Sequence, residues 1–529
     1  MALVIDQSMS SSQNPSLSGR VTPLKNAALS TSAMYVESIA GLAIGVLIAR
    51  TLGPVDYGHY AFAVWLCAWM ILASNNGLNL AAIRFIAEFR GSSAQSIAEA
   101  LSVRLLRWQT LWTAAVLLIF CVLAAIWPPA DWMDHQWSMI VLAVIAVSVR
   151  ARFWLLSSIG RGYERFAPES FSLLAMVVAN LVAIGLWWQF NRTVVGAFFV
   201  YALTGVICYL IARYLIKANG IKFRDGFVPA ATHQRVVRTV LSSGALIIIG
   251  LVSGRVFEMA LLKAFWTAET IAYFVIAGTL TKGAVDLLAG GLASILLPVM
   301  SRAFGRAGKD QVAKIMLESI RYYWFIGLLI AGLGLVITAG AVTLLYGPRY
   351  QTAIPVVTYT LVIAGLGAIS TGLSAFQTAS DFQSDRLWTA GATVAINAVA
   401  AIALVPVWGL TGAVMSLAIT RAASLAVQFY YVRRRVQVQI KWEILVRLLF
   451  CALVAGEAAV IVEGLLLSRF SFVLSGALFC GLFVFLTVVL RAWYAHDYAL
   501  VAELAARLGP LGERIALMCR RVGKRFAIR

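Results

Sequence analysis

Apolar positions run along this chain in long unbroken blocks rather than in stripes. Eight stretches of 20 or more residues carry no Asp, Glu, Lys or Arg: 57–83, 108–130, 170–191, 193–212, 322–348, 350–380, 387–420 and 470–490. About 20 consecutive apolar residues span a bilayer core. Within hydrocarbon the backbone must satisfy its own hydrogen bonds, so each block predicts a membrane helix. The period-two alternation of a membrane β-barrel is absent. The pattern predicts about fourteen helices, near 27–49, 60–83, 106–127, 138–158, 169–190, 194–215, 241–264, 270–298, 322–345, 353–379, 387–407, 410–431, 444–467 and 471–492.

Composition excludes the soluble classes. Of 529 residues, 61% are hydrophobic and only 12% charged, against about 25% charged in a soluble domain. The mean hydropathy is +0.86. A soluble enzyme, a nucleic-acid binder and a disordered scaffold all lack the solvating charge they would need. The expected fold class is an all-α polytopic membrane protein.

The net charge of +20 would suit nucleic acid, but its distribution argues for topology instead. With a cytoplasmic N-terminus, 35 of the 43 Lys and Arg residues fall on or beside cytoplasmic helix ends. Arg50, Arg192, Arg349 and Arg469 fall in outward loops, and four more lie within helices. This asymmetry is the positive-inside rule. It predicts a multi-pass protein with both termini cytoplasmic, touching anionic lipid head groups and no nucleic acid. Residues 1–26 are polar and Ser-rich and read as a disordered cytoplasmic tail rather than a cleaved signal.

A weak internal repeat divides the chain. An offset of 213 aligns Arg50 with Lys263, Asp56 with Glu269 and Tyr60 with Tyr273. An offset of 217 aligns Asn180 with Asn397. The expected organisation is two pseudo-symmetric six-helix lobes, 27–215 and 241–431, joined by a cytoplasmic linker at 216–240. Two extra helices follow at 444–492. The segment 493–529 reads as a basic cytoplasmic tail. In it Leu511, Ile515, Met518, Val522 and Phe526 recur at helical spacing among arginines, which suits a helix lying on the inner leaflet.

No catalytic or cofactor constellation is present. His59, His135, His233 and His496 stand singly, and the six cysteines include no CxxC pair. Neither a metal nor another cofactor is expected. Gly308-Lys309 is followed by Asp310 and lacks the upstream glycine of a P-loop. No outward loop has room for a catalytic domain.

The informative residues are charges inside helices, each costing about 2.5–3.5 kcal/mol or more at mid-bilayer. Arg255 and Glu258 are i, i+3, and Lys282 and Asp286 are i, i+4, so each pair can neutralise itself or line a hydrated cavity between the lobes. Arg421 has no acid within a turn and is the strongest candidate for an anion-binding residue. Glu37 and Glu457 also lack a partner within a turn. Each is either an ion-coupling site or the partner of a charge on another helix. Asn180 and Asn397 read as hydrogen-bond links between helices.

Four segments resemble a known family. IARTLGPVDYGHYAFA at 48–63, NNGLNLAAIRFIAE at 75–88, LYGPRYQTAIPVV at 345–357 and NAVAAIALVPVWGLTGAV at 397–414 resemble the Wzx-type polysaccharide flippases of the multidrug/oligosaccharidyl-lipid/polysaccharide exporter superfamily. The resemblance implies a non-enzymatic transporter of the bacterial cytoplasmic membrane. It would flip polyprenyl-diphosphate-linked oligosaccharide by alternating access, for O-antigen, exopolysaccharide or capsule synthesis. A polysaccharide polymerase and glycosyltransferases would be its partners. Arg255 and Arg421, with Lys282, would be the cations for the diphosphate. A drug/cation antiporter of the same superfamily and a membrane polymerase or ligase are the alternatives. The first would want acids in its cavity, and the second a large outward loop.

Overall fold

The computed structural model describes residues 18–526, apart from 93, 127–129, 191, 253–254, 381, 437–439, 466–469 and 507–509. Among the described residues there are sixteen α-helices and no strand. Eleven helical segments are long and apolar enough to cross a membrane. Two of them, Val36–Gly91 and Ser384–Arg435, run to 56 and 52 residues. At 1.5 Å per residue such segments exceed a hydrocarbon core of about 30 Å by more than twofold. Each is two crossings with a bend between them.

The bends fall where the sequence forces them. Helix α1 (Ser18–Asn75) is interrupted at Gly53, with φ 79° and ψ 175°. Pro54 follows, and a residue before proline is driven out of the α region. Proline then opens the next helix without losing a needed hydrogen bond. Helix α12 (Gln383–Arg435) bends at Gly409, φ 54°. A Cβ there would stand 2.7 Å from the Trp266 ring, whose Nε1 donates to Val405 O at 2.9 Å. Helix α9 (Ala268–Tyr346) bends at Gly308, φ 69°. The Gly-Lys pair is therefore a helix break, not a phosphate loop.

Helix α2 (Leu78–Gly91) continues the second crossing after a turn at Gly77. Helices α3 (Gln95–Ile126), α4 (Gln136–Gly162), α5 (Ala167–Phe190) and α6 (Val194–Ala218) follow as predicted. The seventh crossing differs from expectation. It is not one helix over 241–264 but two, α7 (Ala230–Val252) and α8 (Val256–Phe265). Helices α10 (Ala353–Leu366) and α11 (Ser370–Ala379) share one crossing through a short 3-10 turn. Helices α13 (Trp442–Leu465) and α14 (Ser471–Val489) are the last two. With the two double spans and α7–α8, fourteen crossings result.

Residues 1–17 of the predicted tail lie outside the described residues. From Ser18 the chain is already helical. Extending an existing helix adds a hydrogen bond per residue without a new nucleation cost, which overrides the polar composition of 18–26. At the other end, α15 (Ala495–Ala506) and α16 (Pro510–Phe526) pack together. The contact uses small residues: Ala516 and Gly523 are buried, and a Cβ on Gly523 would meet Tyr498 Cβ at 2.8 Å. Met518 stays 67% exposed.

The described chain forms two compact units. One holds residues 18–275 and Ala401–Leu410; the other holds Ile276–Ala400 and 411–526. The core of the first includes Leu78, Phe85, Leu101, Leu155, Ile216 and Val236. The linker is thereby tied down: Ile221 is buried, Arg107 pairs with Asp225 at 2.6 Å and Arg235 with Glu88 at 3.0 Å. In the second unit, α13 and α14 pack on α9 through Leu448, Cys451, Phe479 and Phe483. Large apolar side chains such as Leu118, Ile119, Val399 and Ile461 stay 61–70% exposed, as lipid-facing positions require.

Candidate functional site

The charged positions singled out from sequence fare differently. Lys282 and Asp286 form an ion pair one turn apart on α9, both exposed. Arg255 is not inside a helix. It is the N-cap of α8, with left-handed φ 66°, and its guanidinium lies 5.5 Å from the Phe274 ring centre. A non-glycine residue there costs roughly 1–3 kcal/mol, which only tertiary contacts can hold. Glu258 is fully buried in the first turn of α8, where a helix N-terminus favours a carboxylate. Glu37 is half-buried in α1 and lies within electrostatic reach of Cys208. Glu457 is exposed on the face of α13 that carries Leu453, Val460 and Ile461. Arg469 lies outside the described residues. Among those described, no three His, Cys, Asp or Glu side chains are grouped to hold a metal ion.

Arg421 is exposed, and it has no hydrogen bond or ion pair among the described residues. Its stem rests on Gly367, where a Cβ would stand 3.5 Å from Arg421 Cδ. One residue earlier, Thr420 donates to Ser416 O at 2.7 Å and accepts from Asn397 Nδ2 at 3.2 Å. Asn397 thus links the two halves of α12, as expected. Asn180 makes no hydrogen bond among the described residues.

The other unit holds an arginine that sequence reasoning passed over. Arg150 is half-buried and is the fifteenth of the 27 residues of α4. Its Nη2 donates to Tyr201 O at 2.9 Å and approaches Thr204 Oγ1 at 3.4 Å. Its guanidinium lies 3.8 Å from the Tyr201 ring centre, and Nη1 is 3.9 Å from Met176 Sδ. A Cβ on Gly205 would stand 3.1 Å from Arg150 Cγ and Nε. Nearby Arg152 donates to Leu106 O at 2.7 Å and to Gln109 Oε1 at 3.0 Å.

These two arginines occupy related places. The span Gln136–Gly162 and the span Ala353–Ala379 are both 27 residues long, so an offset of 217 places Arg150 opposite Gly367. An offset of 216 places Thr204 opposite Thr420 and Gly205 opposite Arg421. Each lobe therefore packs one arginine against one glycine across the fourth and sixth helices of its repeat. The helix that carries the arginine is exchanged. Position 205 is uncharged, but Arg150 reaches it from α4.

A helical, multi-pass bundle of this kind defines a polytopic membrane protein. The chain belongs to the polysaccharide biosynthesis protein family, whose match covers residues 24–304, more than half its length. Among solved structures it resembles the lipid II flippase MurJ in an inward closed conformation, with 12% identity, 87% of this chain and 98% of that chain covered, and a TM-score of 0.65. It also resembles an inward-facing multidrug resistance MATE family transporter of the MOP superfamily, at 18% identity over 75% and 94% of the two chains, TM-score 0.63. A Vibrio cholerae MATE transporter matches at 14% identity over 78% and 98%, TM-score 0.54. At these identities the likeness establishes the fold. No curated protein sequence matches the chain.

Proposed function

We propose that this protein flips a polyprenyl-diphosphate-linked oligosaccharide across the bacterial cytoplasmic membrane during synthesis of a surface polysaccharide. Both termini would be cytoplasmic, and transport would proceed by alternating exposure of an anion site to the two sides. A polysaccharide polymerase and glycosyltransferases would supply and use its substrate. Family membership and a fold like that of a lipid II flippase support this reading.

One observation carries it: Arg421, inside a membrane span, has no acid and no hydrogen-bond partner among the described residues. A cation held in a span at such cost has a task, and binding a diphosphate is one that uses its charge. Lys282, beside Asp286, is a further cation in the unit that holds Arg421; Arg255, beside Glu258, belongs to the other unit. A drug/cation antiporter would instead want an unpaired acid. The coupling site falls on Glu37 rather than Glu457, which lies on an exposed apolar face. Each charge crossing the potential exchanges about 2.3 kcal/mol per 100 mV, so the potential itself is a sufficient drive for an anion moving outward.

The test is surface polymer in a deletion strain complemented with Arg421→Ala, normalised to membrane protein. Polymer should collapse, while Arg192→Ala, at an exposed position whose Nε donates only to Trp188 O at 2.7 Å, should leave it intact. Full polymer in Arg421→Ala would remove the residue from the site. Restored drug resistance with no polymer defect would favour the antiporter.

A further inference from the structure

A second cationic site lies wholly within the 276–400/411–526 unit, at the helix ends where Lys and Arg concentrate. Arg321 on α9 is 5% exposed and pairs with Asp497, itself 5% exposed, at 2.8 Å. Tyr322 Oη also meets Asp497, and Tyr494 N donates to its other oxygen at 2.7 Å. Asp497 is thus saturated by one side of the guanidinium and its neighbours. Arg321 Nε and Nη1 are buried and have no hydrogen-bond partner among the described residues. Buried polar groups are almost always paired, so two orphaned donors on one guanidinium ask for an acceptor.

Arg321 lines a cavity of about 400 Å³ with Lys314, Lys441, His496, Glu318 and Tyr494, a volume in the range of small-ligand sites. Lys441 Nζ donates to Tyr494 Oη at 2.9 Å. The Tyr494 ring lies 4.5 Å from the Arg321 guanidinium and 5.1 Å from Lys441 Nζ, so two cations share one ring. Lys314 and Lys441 are exposed, with no carboxylate partner among the described residues. The rest of the wall is isoleucine and leucine. Two exposed lysines, an arginine sharing a ring with one of them and an apolar wall at a membrane-helix end make an amphiphilic anion the fitting occupant. Basic pockets at helix ends are a recognised means of holding lipid head groups.

We infer that this cavity binds the phosphate head group of an anionic phospholipid, with Lys441 and Lys314 as its donors. The test uses the full-length protein reconstituted in vesicles of equal phosphatidylglycerol and phosphatidylcholine, then extracted and weighed by native mass spectrometry. Phosphatidylglycerol should be retained over phosphatidylcholine. Lys441→Gln and Lys314→Gln should each lower retention about fivefold, and Glu318→Gln should raise it. Arg321 is left intact, because losing it strands buried Asp497. Equal retention of the two lipids, or retention unchanged in Lys441→Gln, overturns the proposal. Displacement of the lipid by millimolar inorganic phosphate also overturns it, by assigning the cavity to a free anion.

Discussion

Arg150 and Arg421 sit at corresponding helix contacts in the two repeats, yet their surroundings are opposite. Arg150 is half-buried, hydrogen-bonded to Tyr201 O and stacked on the Tyr201 ring. Arg421 is exposed and bonds to nothing among the described residues. The threonine one position before each glycine or arginine follows suit: Thr204 faces the Arg150 guanidinium, whereas Thr420 serves Asn397. Where Arg150 holds the acceptor, Asn180 is left without a hydrogen bond among the described residues. One repeat spends most of its guanidinium on its own helices, with Nε alone lacking a partner among the described residues, and the other leaves its guanidinium unpaired among them. A charge satisfied by the protein is architecture. A charge left unsatisfied in a membrane span is capacity for binding.

The sharpest way to break this contrast is to remove each arginine. Arg421→Ala should keep normal membrane levels and lower surface polymer at least about tenfold, the low end of a hydrogen bond to a charged group at 1.5–3 kcal/mol. Arg150→Ala should act on the fold instead, lowering the amount of membrane protein and its thermal midpoint in detergent. If the two variants lose protein equally, the distinction between them fails.

The threonines sharpen it further. Thr420→Val removes the hydroxyl that accepts from buried Asn397 and should cost about 1–3 kcal/mol in denaturant or thermal unfolding. Thr204→Val should cost under about 1 kcal/mol, since Arg150 keeps its shorter bond to Tyr201 O. Equal costs would mean that Asn397 does not depend on Thr420.

The glycines give the smaller difference. A methyl at Gly205 meets Arg150 at 3.1 Å, so Gly205→Ala should destabilise by about 1 kcal/mol through overpacking. At Gly367 the nearest atom is an ordinary 3.5 Å away. Gly367→Ala should be neutral or stabilise by up to about 1 kcal/mol, because alanine favours helix. A lower melting point for Gly367→Ala than for Gly205→Ala would reverse the reading. Smallest of all, Arg421→Lys should retain part of the polymer lost in Arg421→Ala, since lysine keeps the charge without the bidentate fork.

The membrane helices were legible because their signal is one-dimensional: a run of apolar residues and the charge that ends it. Arg421 was legible for the same reason, standing at the end of the charge-free run 387–420. Arg150 was not. It stands mid-span both in the helix expected over 138–158 and in Gln136–Gly162, but with Arg152 two residues on it passed for part of the charge that closes the span. A signal existed nonetheless. Aligning the fourth span with the tenth at 217 exposes the exchanged pair Arg150–Gly367 and Gly205–Arg421.

The broken seventh crossing carried a weaker sign, the Ser253-Gly254 pair before Arg255. No proline precedes Arg255, and a left-handed arginine is set by tertiary contacts rather than by preference. The Arg321 cluster was equally hidden. Its members come from α9, the segment before α13 and the chain after α14, with Tyr494 53 residues from Lys441 and Asp497 176 from Arg321.

Sequence by itself determined the class of this protein, the order of its crossings and the bend at Gly53, since hydrocarbon and proline act on local runs of residues. Tertiary structure alone decided which charges are satisfied. Burial, pairing and orphaned donors depend on helices distant in the chain meeting face to face, and no local pattern records which faces those will be.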